Sequence, residues 1–154
     1  MIRRKRPGYD TKIHGGKSMS GLTLDLAQQM LDRAMAKAQQ DYKRPICLSV
    51  CDAQGFLLAF ARMPGAPVRS IAISQGKAYT AARMGVSTDA VLARLKKEGI
   101  EIGYFCDPLL TALPGGSPLK DAAGTLIGAI GISGLHSSED HALTEFIAEQ
   151  VRSA

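Results

Sequence analysis

The sequence predicts an α+β domain built on an antiparallel sheet, and three observations carry that expectation. The elements run helix, hairpin, two helices, glycine-rich hairpin, helix, so strands come in adjacent pairs and do not alternate strictly with helices as a doubly wound parallel sheet requires. The chain has 154 residues, 45% of them apolar and 21% charged, which suits one domain with a sizeable core and leaves no room for a second. Finally, Leu113–Gly134 holds six of the sixteen glycines and reads as a second hairpin. Residues 19–154 are taken as the single domain, preceded by a basic extension over 1–18.

Each element has its own signal. Leu22–Ala38 places apolar residues at 24, 27, 30, 31, 34, 35 and 38 behind Thr23 as N-cap, which is the rhythm of an amphipathic helix. Pro45–Cys51 and Phe56–Met63 alternate as strands around the turn Asp52–Gly55. Ile46, Leu48 and Val50 form the heavier face of the first strand, and Cys47, Ser49 and Cys51 form a small-residue face that suits a covering helix. Val68–Met84 reads as a helix closed by Gly85, with Ile71, Ala72, Ala78, Tyr79 and Ala82 as its core stripe. A shorter helix runs from Ser87 as N-cap to Lys97, closed by Gly99. Ile100–Cys106 and Leu109–Leu113 have strand composition but are separated by Asp107-Pro108. In the glycine-rich hairpin, Pro114-Gly115-Gly116 bends the chain, Asp121–Gly124 turns it again, and Thr125–Ser133 is the strand. Ser137–Asp140 reads as a capping box ahead of a last helix with Leu143, Phe146, Ile147 and Val151 on one face.

Charge and cysteine usage narrow the function classes. The net charge of +5 resides in residues 1–18, where six Lys/Arg face one acid; thirteen of each sign balance over 19–154. A basic extension without an aromatic, basic face on the domain argues against nucleic acid as a partner. No apolar run approaches the roughly eighteen residues of a membrane span. Arg3–Arg6 is followed by a polar Pro7–Lys17 where a secretory leader would be apolar, so a cytoplasmic location is expected. Three cysteines then read as free thiols. Cys47 and Cys51 share a strand face about 13 Å apart, too far for a disulfide or a common zinc. The histidines, at 14, 136 and 141, form no metal triad, and no metal site is expected. Gly128–Gly134 is not a dinucleotide fingerprint and no glycine loop is followed by GK[ST], so neither standard phosphate cradle is supported.

The segments TLDLAQQMLDRAMAKA (23–38), SVCDAQGFLLAFARM (49–63), ISQGKAYTAARMG (73–85), LPGGSPLKDAAGTLIGAIGISG (113–134) and Glu139-Asp140 together resemble the GlcG/HbpS family, often labelled a haem-degrading domain. The resemblance spans residues 22–151. It covers extracellular haem-binding sensory proteins, the GlcG proteins of glycolate-utilisation operons and the C-terminal domain of PduO-type cobalamin adenosyltransferases. It implies a profilin-like α/β/α sandwich with a five-stranded antiparallel sheet, and homo-oligomers from dimer to octamer.

Three functional readings follow. The first is a small-molecule-binding protein, an enzyme or accessory protein for a small organic acid as the glycolate-operon relatives suggest. Lys77 and Arg62 offer cations for a carboxylate, the Gly115 and Gly116 N–H groups suit an oxyanion, and Glu101 and Asp140 are candidate general bases. Lys77, Glu101 and Asp140 are thus the catalytic candidates, while Arg62, Lys77, Gly115, Gly116, Pro118 and Ser133 are the ligand-binding ones. Tyr104 and Cys106 are further lining candidates for the pocket of this first reading. The second reading is haem, for which His136 is the best placed axial ligand and His141 the weaker one. The third is an oligomeric interaction module without catalysis.

Overall fold

A computed structural model of the chain describes residues 21–154. The extension expected over 1–18, with His14, lies outside the described residues. The first helix, α1 (Leu24–Lys37), starts where Thr23 accepts the Leu26 N–H on its hydroxyl, and it runs on into a π-helical turn at Ala38–Tyr42. Its apolar stripe of Ala27, Met30, Leu31 and Ala34 is buried. Strands β1 (Cys47–Asp52) and β2 (Leu57–Arg62) form the expected first hairpin, with Gly55 at φ +96° in the turn. Helices α2 (Arg69–Met84) and α3 (Thr88–Glu98) follow, each closed by a left-handed glycine, Gly85 and Gly99. The second hairpin is β3 (Gly116–Lys120) and β4 (Leu126–Ser133), and α4 (Ser137–Arg152) ends the chain.

The four strands form one antiparallel sheet in the order β2-β1-β4-β3. Alternation along the strands sends their two sets of side chains to different layers. Leu48, Val50, Ala59, Leu119, Ile130 and Ile132 join α1 and α4 in the main apolar core, whereas Cys51 and Ala129 meet Ala78, Ala81 and Ala82 of α2 on the opposite face. The outcome is an α/β/α sandwich whose two faces differ in kind: one is packed with branched aliphatics, the other with small residues.

Several expectations need correction. Among the described residues the sheet has four strands, not five. Ile100–Cys106 and Leu109–Leu113, the segments of strand composition, form instead a 3-10 turn at Ile102–Phe105 and an irregular strap. Cys106 adopts a left-handed conformation at φ +56°, Pro108 has no N–H to pair, and the Leu109 N–H is taken by the Asp107 carboxylate, so no ladder can start there. The core face of α2 is also rotated from the expected stripe. Ser70, Ser74, Lys77, Ala78 and Ala81 are buried, while Ala72 is exposed and Tyr79 half-buried. Close packing explains this: a side chain on Gly131 of β4 would run into the Ser74 carbonyl and the Ala78 amide of α2. Only small or threading side chains fit so narrow a gap. The expected capping box moves by one residue as well: His136 is the N-cap, its N–H is accepted by Glu139, and Asp140 turns inward.

Candidate functional site

Two neighbouring residues on α2, Gly76 and Lys77, open onto different surroundings. Lys77 threads into the sheet. Its Nζ donates to the Ile132 carbonyl at 2.8 Å and to Asp140 Oδ2 at 2.9 Å, and Asp140 Oδ1 accepts the Leu135 N–H at 3.1 Å. Their side chains are 3% and 4% exposed. The passage exists because three glycines flank it. A Cβ on Gly131 would press on the Lys77 side chain, one on Gly116 would strike the Lys77 carbonyl, and one on Gly115 would lie 2.9 Å from Lys77 Nζ and 2.6 Å from Asp140 Cβ. Gly115 also has φ +115°, which a side chain would resist. Burial pushes the Lys77 ammonium below its usual range and the Asp140 carboxyl above its own, each shift opposed by the partner's charge.

This placement bears on the sequence candidates. Lys77, Asp140, Gly115 and Gly116 do come together, but as a closed knot: the Gly116 N–H is held by Thr88 Oγ1 at 2.9 Å, and the lysine is committed to Asp140 and Ile132. Ser133, buried nearby, donates to Ser70 Oγ at 3.1 Å. Arg62 closes the turn after β2 with two hydrogen bonds to the Ala66 carbonyl. Glu101 is exposed in the loop after α3. Pro118 lies on β3 beside Lys120, Glu145 and Arg152, around a cleft of about 260 Å³. His136 is exposed at the start of α4, and the Nδ1 of His141 is buried without a partner. Tyr104 and Cys106 are exposed on the 3-10 turn and its end.

Gly76 faces the other way, into a cleft of about 490 Å³ between α2, the β1–β2 end of the sheet and the 108–111 strap. Ala72, Gln75, Gly76 and Tyr79 line it from the helix, Ser49, Cys51 and Leu57 from the sheet, and Leu109 and Thr111 from the strap. The cleft exists because α2 lies over β4, β1 and β3 and leaves the edge strand β2 bare on that side. Two hydrogen bonds hold the strap to the helix: the Tyr79 hydroxyl donates to Asp107 Oδ2 at 2.7 Å, and the Thr111 N–H donates to Thr80 Oγ1 at 2.9 Å. The first of these raises the Tyr79 pKa above its ordinary value and holds the Asp107 carboxyl below its own. Among the described residues, no Lys, Arg or His lines the cleft. None of the sequence candidates lines it either. The signal that could have found it was a glutamine and a glycine, Gln75 and Gly76, on the same side of the helix as Ala72 and Tyr79 of the expected core stripe.

As a haem site the cleft is a poor fit. Its residues of axial-ligand type are Cys51, whose thiol burial pushes up to about 12, and Tyr79, whose proton is engaged by Asp107. His136 does not line the cleft; it follows β4, whose last residue Ser133 pairs with Cys47 at the start of β1. Among the described residues, no three His, Cys, Asp or Glu side chains gather to hold a metal ion.

The chain is similar to several known proteins. It is 34% identical over 118 residues to Protein GlcG of Escherichia coli K12, a match covering 70% of this chain and 81% of that protein. The crystal structure of a PduOC:Heme complex superposes with a TM-score of 0.74 at 27% identity, covering 84% of this chain and 94% of that one. The HbpS crystal structure shares the fold with a TM-score of 0.77 at 24% identity, over 97% and 99% of the two chains. A family model described as haem degrading protein HbpS-like matches residues 22–148. With that match over most of its length, and the same sandwich in its structure, the chain belongs to the HbpS-like family.

Proposed function

We propose that this protein binds a small, largely apolar molecule in the cleft between α2, β1–β2 and the 108–111 strap. The observation that carries this reading is the cleft itself: a preformed concavity of about 490 Å³, mostly apolar, with a few polar groups held in place by the strap. The organic-acid reading suggested by the sequence finds no cation in the cleft among the described residues: Lys77 is locked onto Asp140, and Arg62, exposed at the end of β2 and bonded to the Ala66 carbonyl, does not line it. Nile red, an uncharged dye of suitable size, tests the proposal. Saturable one-to-one fluorescence enhancement is expected, and Ala72→Trp, which plugs the cleft from an exposed helix position, should abolish it. Enhancement that never saturates, or that Ala72→Trp leaves intact, refutes the cleft as the site.

A second reading, haem, draws on the likeness to the PduOC:Heme complex. In this chain the accessible ligand would be His136, outside the cleft. Hemin titration should then give a saturable Soret change that His136→Ala removes; a response no greater than that of an unrelated protein eliminates haem. Phe56 and Leu57, 72% and 52% exposed beside the open edge of β2, further support a homo-oligomer, which sedimentation velocity can check.

A further inference from the structure

The hydrogen-bonding groups around the cleft are nearly all of one polarity. Each hydroxyl has one proton to give. Ser74 gives its proton to the Ile71 carbonyl at 3.0 Å, so the 2.9 Å contact between Ser49 and Ser74 uses the proton of Ser49. Tyr79 gives its own to Asp107. The Cys51 thiol is directed to the Ala129 carbonyl. The strap is equally committed: the Leu109 N–H goes to Asp107 Oδ1, the Leu110 N–H to the Asp107 carbonyl, and the Thr111 N–H to Thr80. Acceptors remain. The Ser49 and Tyr79 oxygens keep lone pairs, and among the described residues no hydrogen bond engages the Leu109 or Leu110 carbonyl. The exceptions are the Thr111 hydroxyl and the amide of Gln75, which is exposed. Arg83, outside the lining, stacks over the Tyr79 ring at 5.8 Å, and the Asp107 carboxylate on the same tyrosine offsets it.

From this inventory we infer that the cleft selects an uncharged ligand that carries an N–H or O–H donor on an apolar body, such as an amide or alcohol, and discriminates against carboxylates. The inference rests on the cleft being the binding site. A carboxylate brings only acceptors, so in the cleft it would lose its hydration and find only the Thr111 hydroxyl and the exposed Gln75 amide as donors to replace it. An amide of the same shape supplies the two N–H groups that the cleft lacks.

Benzamide and benzoate test this, since they match in size and differ in donor content. Their affinities are read from amide chemical-shift changes at cleft residues of the full chain. Benzamide is expected to bind about fivefold more tightly, the equivalent of one net hydrogen bond. Asp107→Ala provides a second readout: it frees the Tyr79 proton, so benzoate binding should strengthen and the ratio should shrink. A loosened strap alone would weaken both ligands together. Benzoate binding as tightly as benzamide overturns the inference and leaves the cleft reading intact. If neither ligand perturbs the cleft while Nile red still saturates it, polar selection is likewise refuted. If Nile red also fails, the cleft reading falls and takes the inference with it.

Discussion

The two sides of α2 show how one helix can serve structure and ligand access at once. On the sheet side, Ser74, Lys77, Ala78 and Ala81 press onto a glycine-bearing strand so closely that backbone nearly touches backbone. On the other side, Ala72, Gln75, Gly76 and Tyr79 line the cleft, with no backbone pressed against them. Small residues occur on both sides, for opposite reasons. Against the sheet they permit contact; at the cleft they leave room. The presence of glycine or alanine is therefore no guide to whether a ligand or a strand lies opposite. The polar groups divide in the same way, Lys77 being closed off by Asp140 while Tyr79 stands at the cleft.

Breaking the sheet side should have the largest effect. Lys77→Met leaves Asp140 buried and unpaired, and is expected to cost about 3–5 kcal/mol in chemical denaturation. Lys77→Met with Asp140→Leu should recover most of that loss, because burial already disfavours both charges. If the single and double variants are equally unstable, the knot matters through packing and not through charge. The glycines give a sharper, smaller contrast. Gly131→Ala drives a methyl into the α2 backbone and should cost about 1–3 kcal/mol. Gly76→Ala, whose methyl would meet the Leu109 carbonyl and Thr111 at an ordinary 3.5 Å, should gain about 0.5–1 kcal/mol from helix propensity. Thermal melts of the pair decide it, and equal losses would mean that the cleft side is packed as tightly as the sheet side.

The smallest effect concerns the strap. Asp107 has its pKa lowered by the Tyr79 hydroxyl, so its contribution is present above the ordinary value of 3.8 and is lost as pH falls through the lower folded value. The Leu109 amide proton, which Asp107 accepts, should titrate by NMR with a midpoint below 3.8, and Tyr79→Phe should move that midpoint upward. A midpoint at or above 3.8 would show that the strap is not held by this bond.

Much of the architecture was legible because it rests on local rules. Thr23 and Ser87 cap their helices through their hydroxyls, Gly85 and Gly99 close them in left-handed conformations, and the alternation in β1 separates Leu48 and Val50 from Ser49 and Cys51 as the pattern requires. The strap was not legible. Leu109–Leu113 has strand composition, yet Thr111 is tied to Thr80 and the neighbouring Asp107 to Tyr79, some thirty residues earlier on a helix, and composition says nothing of that. Lys77 was legible as a candidate cation and Asp140 as a candidate base, but their ion pair spans 63 positions. A charge that pairs with a distant one and a charge that awaits a ligand look the same in one dimension.

The sequence by itself determined the helices, the two hairpins and the layered α+β class, since capping, turn chemistry and periodicity act over a few residues. Only the tertiary structure decided the number of strands, the closure of the Lys77–Asp140 knot and the opening of the cleft beside Gly76. Those depend on where α2 settles across the sheet. The glycines of β4 and β3 draw the helix over β4, β1 and β3, and that one packing choice buries Lys77 and leaves β2 uncovered.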